Sequence, residues 1–211
     1  MSSVTPVQFV RPLGAEDTAR ANVYALLARL FHAAPDEQLL GAMLNAPQAE
    51  AEDDARTAAG DALASAWHAL LEACRTAFPV LLEQEHTMLF VGTGRAEVTP
   101  YLLRYGMLHE SDTPLVGLRA QLADWGLARH AHVNEPEDHV AGIFETMRHA
   151  IAVQQRSFEE QKMFFDRFVH SGGMAFCSAV RASANARFYG LVAAYAAAFL
   201  EVEREAFDMD V

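Results

Sequence analysis

The sequence predicts an all-α protein, a single globular helical domain over residues 1–211, and three observations predict it. Alanine is abundant and runs of β-branched residues are missing. Almost every periodic segment places apolar residues at i, i+3, i+4 and i+7, the spacing of one helix face. Hydrophobic residues make up 52% of 211, enough to fill one sizeable core.

The elements follow in order. Residues 16–33 carry Val23, Leu26, Leu27, Leu30 and Phe31 on one stripe. Pro35-Asp36 interrupts, and a short helix through Leu39, Leu40 and Met43 follows. Residues 48–61 are polar and Ala/Glu/Asp-rich, a solvated loop or helix start. A helix over 60–77 uses Leu63, Trp67, Leu70, Leu71 and Phe78, and Pro79 stops it. The next, 80–91, presents Leu81, Leu82, Met88, Leu89 and Phe90. Gly92-Thr93-Gly94 ends that pattern, and residues 92–114, rich in Gly and Pro, read as a central hinge or functional loop. Helices resume at 114–126, 136–154, 157–170 and 174–183, and the last runs over 185–205 with Phe188, Leu191, Val192, Tyr195, Phe199 and Val202 as its stripe.

Charge narrows the partners. Against 28 acidic side chains stand 16 basic ones, every one Arg except Lys162, for a formal net charge of −12. Such a chain does not bind phosphate backbones through bulk charge, so no nucleic acid is expected, whereas a basic peptide is attracted. Cys74 and Cys177 are isolated and suit buried roles in a reducing compartment. Met1 to Arg20 lacks a basic start followed by an apolar run, so no signal peptide is expected. Leu191 to Leu200, the longest apolar run, is about half a membrane span. The expectation is a cytoplasmic chain with no stable membrane insertion.

Enzyme chemistry finds little support. His130, His132, Glu135 and His139 lie close in sequence, but the first two sit in a loop with no helix to fix them. A helical di-iron site wants Glu-x-x-His on two helices, and only Glu83-x-x-His86 matches. No Gly-x-Ser-x-Gly elbow exists, and Gly92-Thr93-Gly94-Arg95 lacks the Gly-Lys-Ser/Thr ending of a phosphate loop. No catalytic residue, metal ligand or cofactor is assigned. A metal- or nucleotide-dependent helical hydrolase and a helical adaptor for an unrelated partner stay as alternatives.

The most informative stretch is Asn134-Glu135-Pro136-Glu137-Asp138-His139, followed by Val140, Ile143, Phe144, Met147 and Ile151 on one face. Asn134 as N-cap with Glu137 three residues on makes a capping box, and Pro136 and the acids suit a helix start. On the helical projection Asp138 points nearly opposite the core and His139 lies on its flank. Capping does not require that histidine. A carboxylate and an imidazole beside an apolar groove can instead grip an arginine-bearing, partly apolar peptide.

This pattern resembles the TorD/DmsD/NarJ family of cytoplasmic chaperones for molybdoenzyme maturation. Glu85-His86-Thr87-Met88-Leu89-Phe90-Val91-Gly92 looks like the family's Glu-Tyr-x-x-Leu-Phe-x-Gly helix end. Glu135-Pro136-Glu137-Asp138-His139 with Met147 is similar to its Glu-Pro-x-Asp-His helix start. Phe165 to His170, Phe188-Tyr189 and Phe199 resemble its C-terminal helices, and Arg20 to Phe31 with Pro35-Asp36 its first. The chain departs from the family pattern at three places. His86 replaces a Tyr, Leu102 and Leu103 follow Pro100-Tyr101 where Glu-Ser is usual, and Gly172-Gly173-Met174 stands where a Trp is often found.

The resemblance implies an all-helical fold with a central hinge loop and no catalysis. It implies a partner: a molybdoenzyme catalytic subunit, held by its N-terminal twin-arginine leader or equivalent segment until cofactor insertion. Carried over by motif, Asp138 and His139 are the leading peptide-binding residues, with Glu135 and Glu137 as acidic support. Tyr101, Leu102, Leu103 and Tyr105 are expected to line an apolar wall. The hinge also permits helix exchange, so the chain is expected as a monomer or a domain-swapped homodimer.

Overall fold

Apolar stripes that no isolated helix can cover assemble here into an all-helical body. The computed structural model describes residues 12–46, 57–92, 95–106, 114–128 and 136–209. Helix α1 (Ala15–His32) buries Tyr24, Leu27, Leu30 and Phe31 along one side. Its main partner is α7 (Val140–Ala152), whose Ile143, Phe144, Met147 and Ile151 are buried at the helical period. Helix α10 (Phe188–Met209) packs against α3 (Ala58–Arg75) and α9 (His170–Ala182). Where these layers meet, Phe31, Phe90, Phe144, Phe176 and Tyr189 stand in mostly tilted or edge-on ring contacts of 5.1–6.4 Å.

Local signals set most boundaries. The Asp36 carboxylate accepts from Leu39 N at 2.8 Å and starts α2 (Glu37–Leu44). Thr57 Oγ1 accepts from Gly60 N at 3.1 Å and starts α3. Ser157 and Glu160 form a capping box at α8 (Phe158–Phe164). Helix α4 (Pro79–His86) has its proline in the first turn and widens into a π-helical turn, Thr87–Val91. Gly92 closes that turn at φ 65°, and a Cβ there would lie 2.1 Å from Arg95 O, so only glycine fits.

The start of α10 has a long-range cap. The Glu85 carboxylate accepts from Arg187 N, Phe188 N and Tyr189 N at 2.8–3.2 Å. One acidic side chain thus satisfies three donors at the positive end of a 22-residue helix. His86, which shares a Glu-x-x-His spacing with Glu83, is buried between the Phe90 and Tyr189 rings.

Four sequence expectations are corrected. The helix expected from 136 begins at Val140, because residues 136–139 form a turn closed by His139 N to Pro136 O at 3.2 Å. The helix expected from 174 begins at His170 and runs straight through Gly172-Gly173; with α8 and the π-helical turn Phe165–Val169 it forms one continuous helical run. Those glycines serve packing: a Cβ on Gly172 would lie 2.8 Å from Leu102 O, and one on Gly173 2.8 Å from Leu200 Cδ1. Phe78 is no core residue but the exposed residue before α4. Leu81 and Met88 are also exposed, since neighbours Leu82 and Leu89 take the inward side.

The stretch read as a hinge is fastened wherever it is described. Val98 N donates to Leu89 O, Leu102 N to Asp138 O and Val140 N to Pro100 O, at 2.8–2.9 Å. A short helix α5 (Leu103–Gly106) follows, and Val98 and Leu102 are buried. Thr93, Gly94 and residues 107–113 lie outside the described residues, as does most of the polar stretch 48–61. Among the described residues no helix is long and apolar enough to cross a membrane.

Candidate functional site

Pro136, Glu137 and His139 stand at the lip of a groove of about 550 Å³. Its floor is small: Ala25 and Ala28 from α1, Ala141 and Gly142 from α7. Leu122 of α6 (Pro114–Asp124) and the following Leu127 form the facing wall. Glu137 and His139 line the lip, and Arg29, His32, Glu145 and His149 stand around the rest. The groove exists because adjacent helices α1 and α7 carry small side chains on one shared side, leaving space that Leu122 of α6 faces but does not fill.

Each residue of the lip has a distinct place. His139 is the N-cap of α7, its Nδ1 accepting from Ala141 N at 3.2 Å, which leaves Nε2 as the protonated nitrogen. Its backbone pairs with Tyr101 as an isolated antiparallel bridge, and the Tyr101 ring meets the imidazole edge-on at 5.8 Å. Glu137 holds Arg119 of α6 in a two-point fork, Nε to Oε1 and Nη2 to Oε2, both 3.1 Å. Arg29 contacts Asp36 at 3.4 Å, and Glu145 holds Arg148 at 2.6 Å.

Asp138 departs from the helical projection. It precedes α7 by two residues, so the helix angle does not apply, and it is buried rather than directed outward. Burial pushes its carboxyl above the usual aspartate range; N–H groups of Asp138 itself and Leu103 partly offset this, while Glu137 adds to it. Asp138 therefore supports the lip from behind, joining the start of α5 to the start of α7.

That burial has a testable sign. A folded carboxyl with a raised pKa favours its protonated form, so its stabilising contribution is complete below the unfolded value and is lost as pH rises through the folded one. Asp138→Asn keeps an acceptor for Leu103 N without the charge. We expect the variant to be at least as stable as the parent at pH 7, with the parent catching up as pH falls through the carboxylate range. Thermal melts at several pH values check this; a variant destabilised equally at every pH refutes it.

Of the residues expected to form an apolar wall, Tyr101, Leu102, Leu103 and Tyr105, none lines this groove. Leu102 is 1% exposed and packs on Gly172. Leu103 is half-buried against the core. Tyr105 donates its hydroxyl to Thr99 O at 2.9 Å and packs its ring on Phe176. Tyr101 meets the lip at His139. The loop is apolar enough to be drawn into the body, and the groove wall comes from α6. Asn134, Glu135, His130 and His132 lie outside the described residues.

Sequence reasoning missed the α1 and α6 contributions. Ala25, Ala28, Arg29 and His32 recur at helical spacing, and that run of small and basic residues beside an apolar stripe was the available signal.

Comparison with known proteins adds the following. The family model described as "Nitrate reductase delta subunit" matches residues 56–201. A crystal structure from Archaeoglobus fulgidus, provisionally described as a redox enzyme maturation protein, superposes with a TM-score of 0.50 at 15% identity, covering 96% of this chain and 99% of that one. No curated protein matches.

Proposed function

This chain belongs to the nitrate reductase delta subunit family, the NarJ/TorD-type chaperones of molybdoenzyme maturation, and from that premise we propose that its groove receives a client's leader. The family is one of maturation chaperones rather than catalysts, and its partner is a molybdoenzyme subunit. The client segment is an N-terminal, twin-arginine-type leader, held in the cytoplasm until cofactor insertion and assembly are complete.

One observation carries this reading: an apolar floor between α1 and α7 with Glu137 and His139 at its lip. The floor suits the apolar part of a leader, and a carboxylate at the lip suits arginine, whose planar fork it can accept at two points. Asp138 and Glu135 belong to the same acidic segment, Asp138 as the residue that positions the lip. The net charge of −12 draws a basic segment from a distance.

Titration of the full chain with a synthetic peptide, two consecutive arginines followed by an apolar run, tests the proposal. Saturable one-to-one binding is expected, with an association rate that falls as salt rises. No saturable binding at low salt, where attraction is greatest, refutes it.

A further inference from the structure

We propose that Arg119 is a built-in competitor for the client's arginine, holding Glu137 until a leader displaces it, so that Arg119 sets how strongly the groove discriminates for arginine. The inference rests on the leader-binding reading and deepens it.

The geometry points this way on three counts. First, the Arg119–Glu137 pair reproduces within one chain the contact an incoming arginine would make: two parallel N–H to oxygen bonds of 3.1 Å on a carboxylate that lines the groove. Second, the two partners differ in exposure. The Arg119 side chain is 54% exposed and the Glu137 side chain 15%. The carboxylate is fixed in the lip, whereas the guanidinium reaches it from solvent and can leave without opening the core. Third, Arg119 lies one turn before Leu122 on α6, so the ion pair ties the groove wall to its lip.

The rest of α6 has its own attachments. Leu118 is buried, and at Trp125, the residue just after α6, the ring meets Phe164 in a tilted contact at 4.9 Å while its carbonyl accepts from Gln154 Nε2 at 2.7 Å. Releasing Arg119 therefore leaves the helix docked at its far end. An exchange of one arginine for another at Glu137 is nearly even in hydrogen bonds, which leaves the apolar segment to decide net affinity. A leader lacking arginine leaves the Arg119–Glu137 pair in place, so its affinity does not depend on that pair.

The experiment compares Arg119→Gln and Arg119→Lys with the parent chain. Two peptides are titrated, the two-arginine leader and the same leader with both arginines changed to glutamine. Arg119→Gln is expected to bind the arginine leader about three- to fivefold more tightly, the scale of one exposed arginine–carboxylate pair. Its affinity for the glutamine leader stays unchanged. Arg119→Lys keeps the charge but not the fork, and gives a smaller gain in the same direction. Thermal melts accompany each titration. Equal shifts for both peptides, or weaker arginine-leader binding by both variants, would mean that Arg119 merely anchors α6, and the proposal falls. If the parent binds neither peptide, the leader-binding reading fails and this inference goes with it.

Discussion

Gly142→Leu is expected to weaken leader binding at least tenfold, about 1.4 kcal/mol, while the chain melts no lower than the parent. Gly142 lies in the first turn of α7, on the groove floor, and is exposed. The nearest atom to a Cβ placed there is Glu137 O at 3.6 Å, ordinary van der Waals contact. A leucine thus costs no packing inside the protein, and its branch extends into the space a client would need. Replacing a helical glycine also removes an entropic penalty of up to about 1 kcal/mol. Blocked binding and preserved stability separate in one variant, which few core or lip substitutions allow. Calorimetric titration with the two-arginine peptide beside a thermal melt reads both, and undiminished affinity in a well-folded Gly142→Leu chain would remove the groove from consideration.

The largest loss of stability is expected from Glu203→Ala, about 3–5 kcal/mol, with melting lowered by on the order of 10 °C. Glu203 on α10 is 2% exposed and bridges to α1. Arg20 Nε and Nη2 donate to its two oxygens at 2.6 and 3.0 Å, and the Tyr24 hydroxyl donates at 2.9 Å. The Arg20 guanidinium also lies over the Phe158 and Phe207 rings, 5.4 and 5.2 Å from their centroids. Removing the carboxylate strands a buried cation whose remaining ion-pair partner, Asp17, is half exposed, and leaves a buried hydroxyl without its acceptor. The cost comes from leaving one partner behind, so the double change Arg20→Met with Glu203→Leu is expected to recover most of the loss. Urea unfolding of the parent and the two variants distinguishes this from a simple cavity, for which the double change would recover little.

Helix existence was legible in the sequence and helix registration was not. The stripes of α1, α7 and α10 repeat over three or more turns, and a period that long survives any local detail. The beginning of α7 depended on partners far away. Pro100 and Leu102 exchange backbone hydrogen bonds with Val140 and Asp138, and no local spacing announces that. The Asn134-to-Glu137 spacing reads as a natural cap, yet His139 is the residue that caps α7. Gly172-Gly173 read as a break because glycine's absent side chain is ambiguous between a turn and a close approach; here it lets Leu102 and Leu200 in.

For the candidate site, Glu137 and His139 were legible because charge and imidazole are uncommon beside an apolar stripe. The floor was not, since alanines on α1 look the same whether a neighbour covers them or a hollow remains. Arg20 was visible as a residue of the first helix, but its tie to Glu203 across 183 positions was not.

The two hydrogen bonds that join residues 100–102 to 138–140, Leu102 N to Asp138 O and Val140 N to Pro100 O, run between main-chain groups. Those two bonds do not depend on which side chains the surrounding groove presents. Substitutions at the groove's lip and wall then alter what it accepts while that main-chain joint stays in place, so client preference changes by substitution rather than by rebuilding.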